Sequence, residues 1–312
     1  MADKKHQRLT AKMAVGLAAP HTWPASVTPV LLTGAIVYHE QGTLSLPLFL
    51  VLLVICVLMQ SAVNTFNDYY DFKQGTDSKE DAVDASDAVL LYNDITPGQA
   101  LMLGIGILAA AALLAIYPVL QGGLPVLVIG LIGALVILLY SAGPFPLSRL
   151  PVGELVSGFV MGSLIPLGCY TALTGTIRYS VMLDTLPVAY AIAMIMLTNN
   201  TCDVEKDVAA GRKTLPALLG RKRSVILYRI LMVLWITLQG VFIVLFLPRF
   251  RTLVFPWLLI AVVALVIFHV GMIFTSKQAR KISDPSQRPS LMKRVSFATA
   301  LYGISLALAL LA

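Results

Sequence analysis

The chain has 312 residues, of which 58% are hydrophobic and 12% charged, with a mean hydropathy of +0.83. A soluble fold of this length cannot bury that much apolar surface, so a soluble enzyme or binding module is excluded. The apolar runs do not alternate as strands would, which excludes a β-barrel, and the net charge of +7 is spread over loops, which argues against a nucleic-acid partner.

The expected class is all-α: a polytopic membrane protein with nine transmembrane helices around one cavity opening to the cytoplasm. Residues 1–13 form a short basic tail, and 1–312 form a single transmembrane domain. The first run, 14–38, carries Pro20, Pro24 and Pro29 and is too long for the apolar core of a signal peptide. It is expected to be one Pro-bent spanning helix. Further spans are expected at 46–66, 98–118, 124–143, 153–174, 183–202, 224–247, 254–275 and 294–311, most near the roughly 20 residues a bilayer requires. Pro97-Gly98, Gly122-Gly123, Gly143-Pro144, Pro151, Pro187, Pro248 and Pro285 mark most joints.

Lys and Arg concentrate in the N-terminal tail and in the loops after even-numbered spans, including Lys206, Arg212, Lys213, Arg221, Arg280 and Arg288. The other side carries Arg178, Arg249 and Arg251. That asymmetry predicts a multi-pass cell-membrane protein with a cytoplasmic N-terminus and an exterior C-terminus, its basic loops against anionic membrane lipid. Cys56, Cys169 and Cys202 have no C-x-x-C spacing, and His6, His21, His39 and His269 make no i, i+4 pair, so neither type suggests a metal site.

Acidic residues are scarce, yet two clusters gather them at span ends. The first is Asn64, Asn67, Asp68, Asp71, Gly75, Thr76 and Asp77; the second is Asn199, Asn200, Asp203, Asp207, Gly211, Arg212 and Lys213. Both follow even-numbered spans, so both open on the cytoplasmic side. Asp71-x-x-x-Gly75-Thr76 parallels Asp207-x-x-x-Gly211-Arg212, which suggests a duplicated half-site. If the helices run past the membrane, Asn64, Asp68 and Asp71 share one face, as do Asn199, Asp203 and Asp207.

Neighbouring carboxylates at helix C-termini repel one another and oppose the helix dipole. A divalent cation relieves both, and Mg²⁺ suits carboxylates combined with phosphate oxygens and water. The expected metal donors are Asp68, Asp71, Asp77, Asp203 and Asp207. With charge of about −5 from these acids, about +4 from two Mg²⁺ and about −3 from a diphosphate ester, the sum stays negative and calls for basic partners. Lys73, Arg149, Arg212 and Lys213 are the candidates, and Asn64, Asn67, Asn199 and Asn200 are candidate polar contacts. Tyr140 is a candidate ring to face a carbocation, or an ordinary interfacial aromatic. Glu80, Asp81, Asp84, Asp87 and Asp94 read as solvated loop acids.

At these residues the chain resembles the UbiA superfamily of intramembrane aromatic prenyltransferases. The resemblance rests on Asn67-Asp68-Tyr69-Tyr70-Asp71 with Gly75-Thr76-Asp77, and on Asn199 to Asp207 with Gly211-Arg212-Lys213-Thr214-Leu215. Tyr140-Ser141-Ala142-Gly143-Pro144-Phe145-Pro146 before Gly153-Glu154 adds to it. The Asn-Asn-x-x-Asp form and the Gly-Arg-Lys-Thr-Leu tail look most like the 1,4-dihydroxy-2-naphthoate branch. The superfamily's common first motif has an acid four residues after Asp71, where this chain has Gly75.

The resemblance implies Mg²⁺-dependent transfer of a polyprenyl group from polyprenyl diphosphate to 1,4-dihydroxy-2-naphthoate, releasing diphosphate and CO₂, with Asp68, Asp71, Asp203 and Asp207 as catalytic residues. Other branches, with 4-hydroxybenzoate, haem, chlorin or glycerophosphate acceptors, remain open, as does a cation transporter. A transporter would place its acids near mid-span.

Overall fold

The apolar runs become helices because, inside a bilayer, a segment must satisfy its own backbone N–H and C=O groups. A computed structural model describes residues 7–76, 88–246, 282, 284 and 287–311. In chain order the helices are α1 (Ala11–Ala18), α2 (Pro24–Gln41), α3 (Leu46–Gln74), α4 (Val89–Tyr92), α5 (Pro97–Ser141) and α6 (Gly153–Phe159). They continue with α7 (Ile165–Thr174), α8 (Val181–Asp184), α9 (Leu186–Cys202), α10 (Val204–Ala209), α11 (Leu215–Phe246) and α12 (Arg288–Leu311). A π-helical turn, Val160–Leu164, joins α6 to α7. Among the described residues the only β-type pairing is an isolated bridge between Gln7 and Ile95.

Five stretches are long and apolar enough to cross a membrane: Leu46–Gln74, Pro97–Ser141, Gly153–Thr174, Leu215–Phe242 and Arg288–Leu308. At 45 residues α5 would run about 68 Å, more than twice the roughly 30 Å of a hydrocarbon core. Gly123, at φ 68° and ψ −156°, breaks it, so α5 holds the two spans expected at 98–118 and 124–143. Its surface is apolar and outward: Leu113, Leu120 and Leu124 are 70%, 76% and 70% exposed. A surface of that kind belongs against lipid, and the protein is a multi-pass integral membrane protein.

The first run differs from expectation. It is two helices, not one bent span. Ala19 adopts a left-handed conformation (φ 46°), and Pro20–Thr22 form a 3-10 turn before α2 restarts at Pro24. Pro20 has no N–H to continue α1, and the freed carbonyls of Ala18 and Ala19 accept from the Trp23 indole (3.3 Å) and the Thr22 hydroxyl (2.9 Å). The second cluster differs too. α9 ends at Cys202, Asp203 sits at φ −97° and ψ 16°, and α10 starts afresh, so that cluster turns a corner instead of running up one helix. The expected span 254–275 and the acids Asp77, Glu80, Asp81, Asp84 and Asp87 lie outside the described residues.

The main core lies between α2, α7, α9, α11 and α12, where Leu32, Val188, Met232, Trp235, Val295 and Tyr302 are almost fully buried. At one end of this bundle Arg178 joins Glu40 to Asp184, while the Tyr170 hydroxyl donates to Glu40 at 2.9 Å. The other end carries both acidic clusters.

Candidate functional site

The site is built on one turn used twice. At the end of α3, Gly75 adopts φ 65°; its N–H donates to the Phe72 carbonyl (3.2 Å) and the Thr76 N–H donates to the Asp71 carbonyl (2.9 Å). At the end of α10, Gly211 adopts φ 67°; its N–H donates to the Val208 carbonyl (3.1 Å) and the Arg212 N–H donates to the Asp207 carbonyl (2.8 Å). Both are the left-handed glycine cap that satisfies the last carbonyls of a helix. The pairing also explains the missing acid of the first motif. Position 75 requires a positive φ, which glycine adopts without a Cβ penalty. Asn67, Asp71, Gly75 and Thr76 therefore correspond to Asp203, Asp207, Gly211 and Arg212.

The two half-sites meet through an arginine. The terminal nitrogens of Arg212 reach Asp71 Oδ1 at 3.8 Å and Asp207 Oδ1 at 3.6 Å. Asp71 and Asp207 are both buried, and the Thr214 hydroxyl donates to Asp207 Oδ2 at 2.8 Å. Burial pushes the Asp207 carboxyl up to about 6; Arg212 and the Thr214 bond act the other way, and the charge on nearby Asp203 adds to the rise. Arg288, at the start of α12, donates from Nε to Asn199 Oδ1 (2.8 Å) and lies 3.1 Å from Asp203 Oδ2. In the sequence Arg288 informed orientation alone. It stands 89 positions from Asn199, and its membership in a same-side loop was the one signal available.

Around this centre Asn67 donates to Asp71 Oδ2 (2.9 Å) and accepts from the Ser141 hydroxyl (3.1 Å). Arg149 spans both turns: Nη2 donates to Thr76 Oγ1 (3.3 Å), and its carbonyl accepts from the Lys213 N–H (2.9 Å). Asn200 donates to Glu154 Oε1 at 2.9 Å, both residues buried, and the Tyr140 hydroxyl reaches Met196 Sδ at 3.5 Å. Arg221 grips the last carbonyls of α9, at Thr201 and Cys202, together with Glu205, and that bond holds the Glu205 carboxyl below its usual range.

Other expected residues are engaged elsewhere. Asn64 donates to the Ala18 carbonyl (3.0 Å) and Thr22 Oγ1 (2.8 Å), tying the α1–α2 turn to α3. The Lys73 side chain is exposed, its ammonium 5.8 Å from the centre of the Tyr69 ring, and Lys213 is exposed as well. Asp68 accepts from the backbone N–H groups of Val89 (2.7 Å) and Leu90 (3.3 Å).

Among the described residues no three His, Cys, Asp or Glu side chains converge as a closed metal cage. Mg²⁺ needs none, because it binds through one or two carboxylates and fills its octahedron with water and substrate phosphate. The all-oxygen donor set of Asp71, Asp203, Asp207 and Asn67, with one carboxyl strongly desolvated, fits such an ion.

Residues 26–297 match the UbiA prenyltransferase family. The chain belongs to that family. As a member it is an aromatic prenyltransferase. Over 211 residues it is 38% identical to the 1,4-dihydroxy-2-naphthoate octaprenyltransferase of Bacillus subtilis (strain 168), covering 68% of this chain and 67% of that protein. Over 238 residues it is 32% identical to UbiA prenyltransferase domain-containing protein 1 of Xenopus tropicalis, covering 74% and 68%. Of the solved structures, a UbiA homolog from Archaeoglobus fulgidus bound to GPP and Mg²⁺ superposes with a TM-score of 0.66 at 16% identity, covering 96% of this chain and 99% of that one. The apo UbiA homolog from Aeropyrum pernix K1 gives 0.62 at 14% identity, covering 93% and 98%. The UbiA-like helical fold is common to all three chains.

Proposed function

We propose that this UbiA-family enzyme transfers a polyprenyl group from a polyprenyl diphosphate to 1,4-dihydroxy-2-naphthoate at the cytoplasmic face of the cell membrane, giving demethylmenaquinol, the hydroquinone form of demethylmenaquinone. The observation that carries the reading is the single Arg212 guanidinium shared between the carboxylates of two equivalent half-sites. That is an arrangement for holding a diphosphate between metal-binding acids and arginines. The naphthoate enzyme of Bacillus subtilis among its relatives supports the acceptor, and the Mg²⁺ and GPP of the Archaeoglobus fulgidus homolog support the donor.

In this reading Asp71, Asp203 and Asp207 would hold Mg²⁺, and Asn67, fixed by Ser141, orients the Asp71 carboxylate. Mg²⁺, when bound, supplies Lewis-acid stabilisation of the charge that develops on the departing diphosphate. Arg212, Arg149 and Arg288 donate to its oxygens. The allylic C–O bond breaks with its electron pair going to diphosphate. Tyr140 offers its π face to the cation, and the apolar bundle excludes the water that would quench it. The ring carbon bearing the carboxylate attacks, and CO₂ leaves with the C–C electron pair returned to the ring. Acids placed at helix ends, next to arginines, disfavour a transporter.

Product analysis by mass spectrometry tests the proposal. Purified protein with Mg²⁺ and one polyprenyl diphosphate is expected to prenylate 1,4-dihydroxy-2-naphthoate with loss of CO₂, and 4-hydroxybenzoate poorly. A higher kcat/KM with 4-hydroxybenzoate overturns the acceptor and leaves prenyl transfer standing. The orientation predicts that a reporter active in the cytoplasm is silent when fused after Ala312; activity there would move the site to the wrong face.

A further inference from the structure

Seen down α3 at 3.6 residues per turn, Asn67 and Asp68 flank the direction of Asp71, about 40° to one side and about 60° to the other. The Asn67 flank meets Ser141 and the Asp71 carboxylate. The Asp68 flank meets a different neighbour. Its Oδ2 accepts from the Val89 N–H and its Oδ1 from the Leu90 N–H, and the residue is buried. The segment it holds is closely packed. Val89 and Leu90 form an apolar cluster with Leu17, Ile95 and Ala100, and a Cβ added at Gly16 of α1 would come within 3.0 Å of Val89 Cγ2. α1 is bound in turn to α3, by the Thr65 hydroxyl on the Leu17 carbonyl (3.3 Å) and by Asn64 on the Ala18 carbonyl (3.0 Å).

The duplicated turn gives an independent comparison. The offset that carries Asp71 to Asp207 and Gly75 to Gly211 carries Asn64 to Asn200 and Asn67 to Asp203. The same offset carries Asp68 to Val204, which is buried and whose side chain has no polar atom. The second half-site keeps a polar residue at the matching positions of Asn64, Asn67 and Asp71 and does without one here.

We propose that Asp68 is a positioning residue and not a metal ligand: its carboxylate clasps the amides of Val89 and Leu90 and so seats α4 and α1 against α3. This departs from the metal role expected from the motif. The reason is geometric, since a shared helix face spans about 100° between Asn67 and Asp68 and each edge addresses a different neighbour. The proposal rests on the prenyl-transfer reading for its kinetic arm alone.

The test uses the full chain in lipid nanodiscs. In EDTA without substrate, the amides of residues 88–92 are expected to exchange about tenfold faster in Asp68→Ala than in the wild type, as loss of hydrogen bonds to a charged acceptor implies. Asp68→Asn keeps one acceptor oxygen and should fall between the two. Mg²⁺ with inorganic diphosphate as the probe should raise the unfolding temperature of Asp68→Asn as much as that of the wild type, and should raise that of Asp71→Asn less. Whatever turnover Asp68→Asn retains should show the wild-type half-saturating Mg²⁺ concentration.

Unchanged exchange at 88–92 in Asp68→Ala overturns the proposal. So does an Asp68→Asn protein that keeps those amides protected yet loses the Mg²⁺-diphosphate shift, because that pattern belongs to a ligand. If the wild type forms no product with any polyprenyl diphosphate, the prenyl-transfer reading fails, and the exchange and unfolding measurements still decide the role of Asp68.

Discussion

Arg212→Gln separates two effects that one guanidinium combines. The backbone N–H of residue 212 still closes the turn onto the Asp207 carbonyl, so the local fold is kept. At 3.6 and 3.8 Å, each guanidinium–carboxylate pair is worth about 4–5 kcal/mol gross at an effective dielectric of about 20. Desolvation offsets most of this, so removing the cation should favour Mg²⁺ by a net of about 1 kcal/mol, about fivefold in affinity before prenyl diphosphate arrives. In the proposed reading the same change removes two charge-assisted hydrogen bonds to diphosphate, at about 1.5 kcal/mol each. Together these correspond to about 150-fold in kcat/KM for the prenyl substrate. Calorimetric Mg²⁺ titration and steady-state kinetics read the two effects separately, and the expected signs are opposite. A kcat/KM loss below about tenfold, or weaker Mg²⁺ binding, would refute a role for Arg212 between the metal-binding acids and the diphosphate.

Asp71→Asn and Asp203→Asn keep size and remove a ligating charge, so each should cost at least about 3 kcal/mol, roughly a hundredfold in turnover, with membrane insertion intact. Chelator should abolish wild-type activity and Mg²⁺ restore it; near-normal rates in either variant or in chelator would remove the acids from the metal site. Gly75→Ala and Gly211→Ala meet no atom within 4 Å, so their cost is conformational, about 1–2 kcal/mol each, read as similar drops in thermal stability. A drop in one and none in the other would contradict the equivalence of the two turns.

Hydropathy located the helical runs because the bilayer demands about 20 apolar residues per crossing, and Gly122-Gly123 marked the break inside α5. Asp71 and Asp207 were legible because acids are costly beside lipid and the pair shared a following glycine. Three things were not legible. The break at Ala19 arises where Pro20 ends one helix, whereas Pro29 lies inside α2 without ending it, so a proline alone does not say which occurs. Arg288 reaches the site through tertiary packing across 89 positions. Asp68 shares a helix face with Asp71, but spacing gives the face and says nothing of the neighbour each edge meets.

The two glycine turns differ in the residue that follows. On α10 it is Arg212, and on α3 it is Thr76, whose hydroxyl accepts from Arg149, 73 positions away. One unit carries its positive charge in its own sequence and the other borrows it. A chain assembled from two copies of the α3 unit would have no arginine after either glycine, and one assembled from two copies of the α10 unit would set two arginines against four aspartates. Only the unlike pair leaves a single turn guanidinium divided between two carboxylates, so in the proposed reading the difference between the two turns matters as much as their likeness.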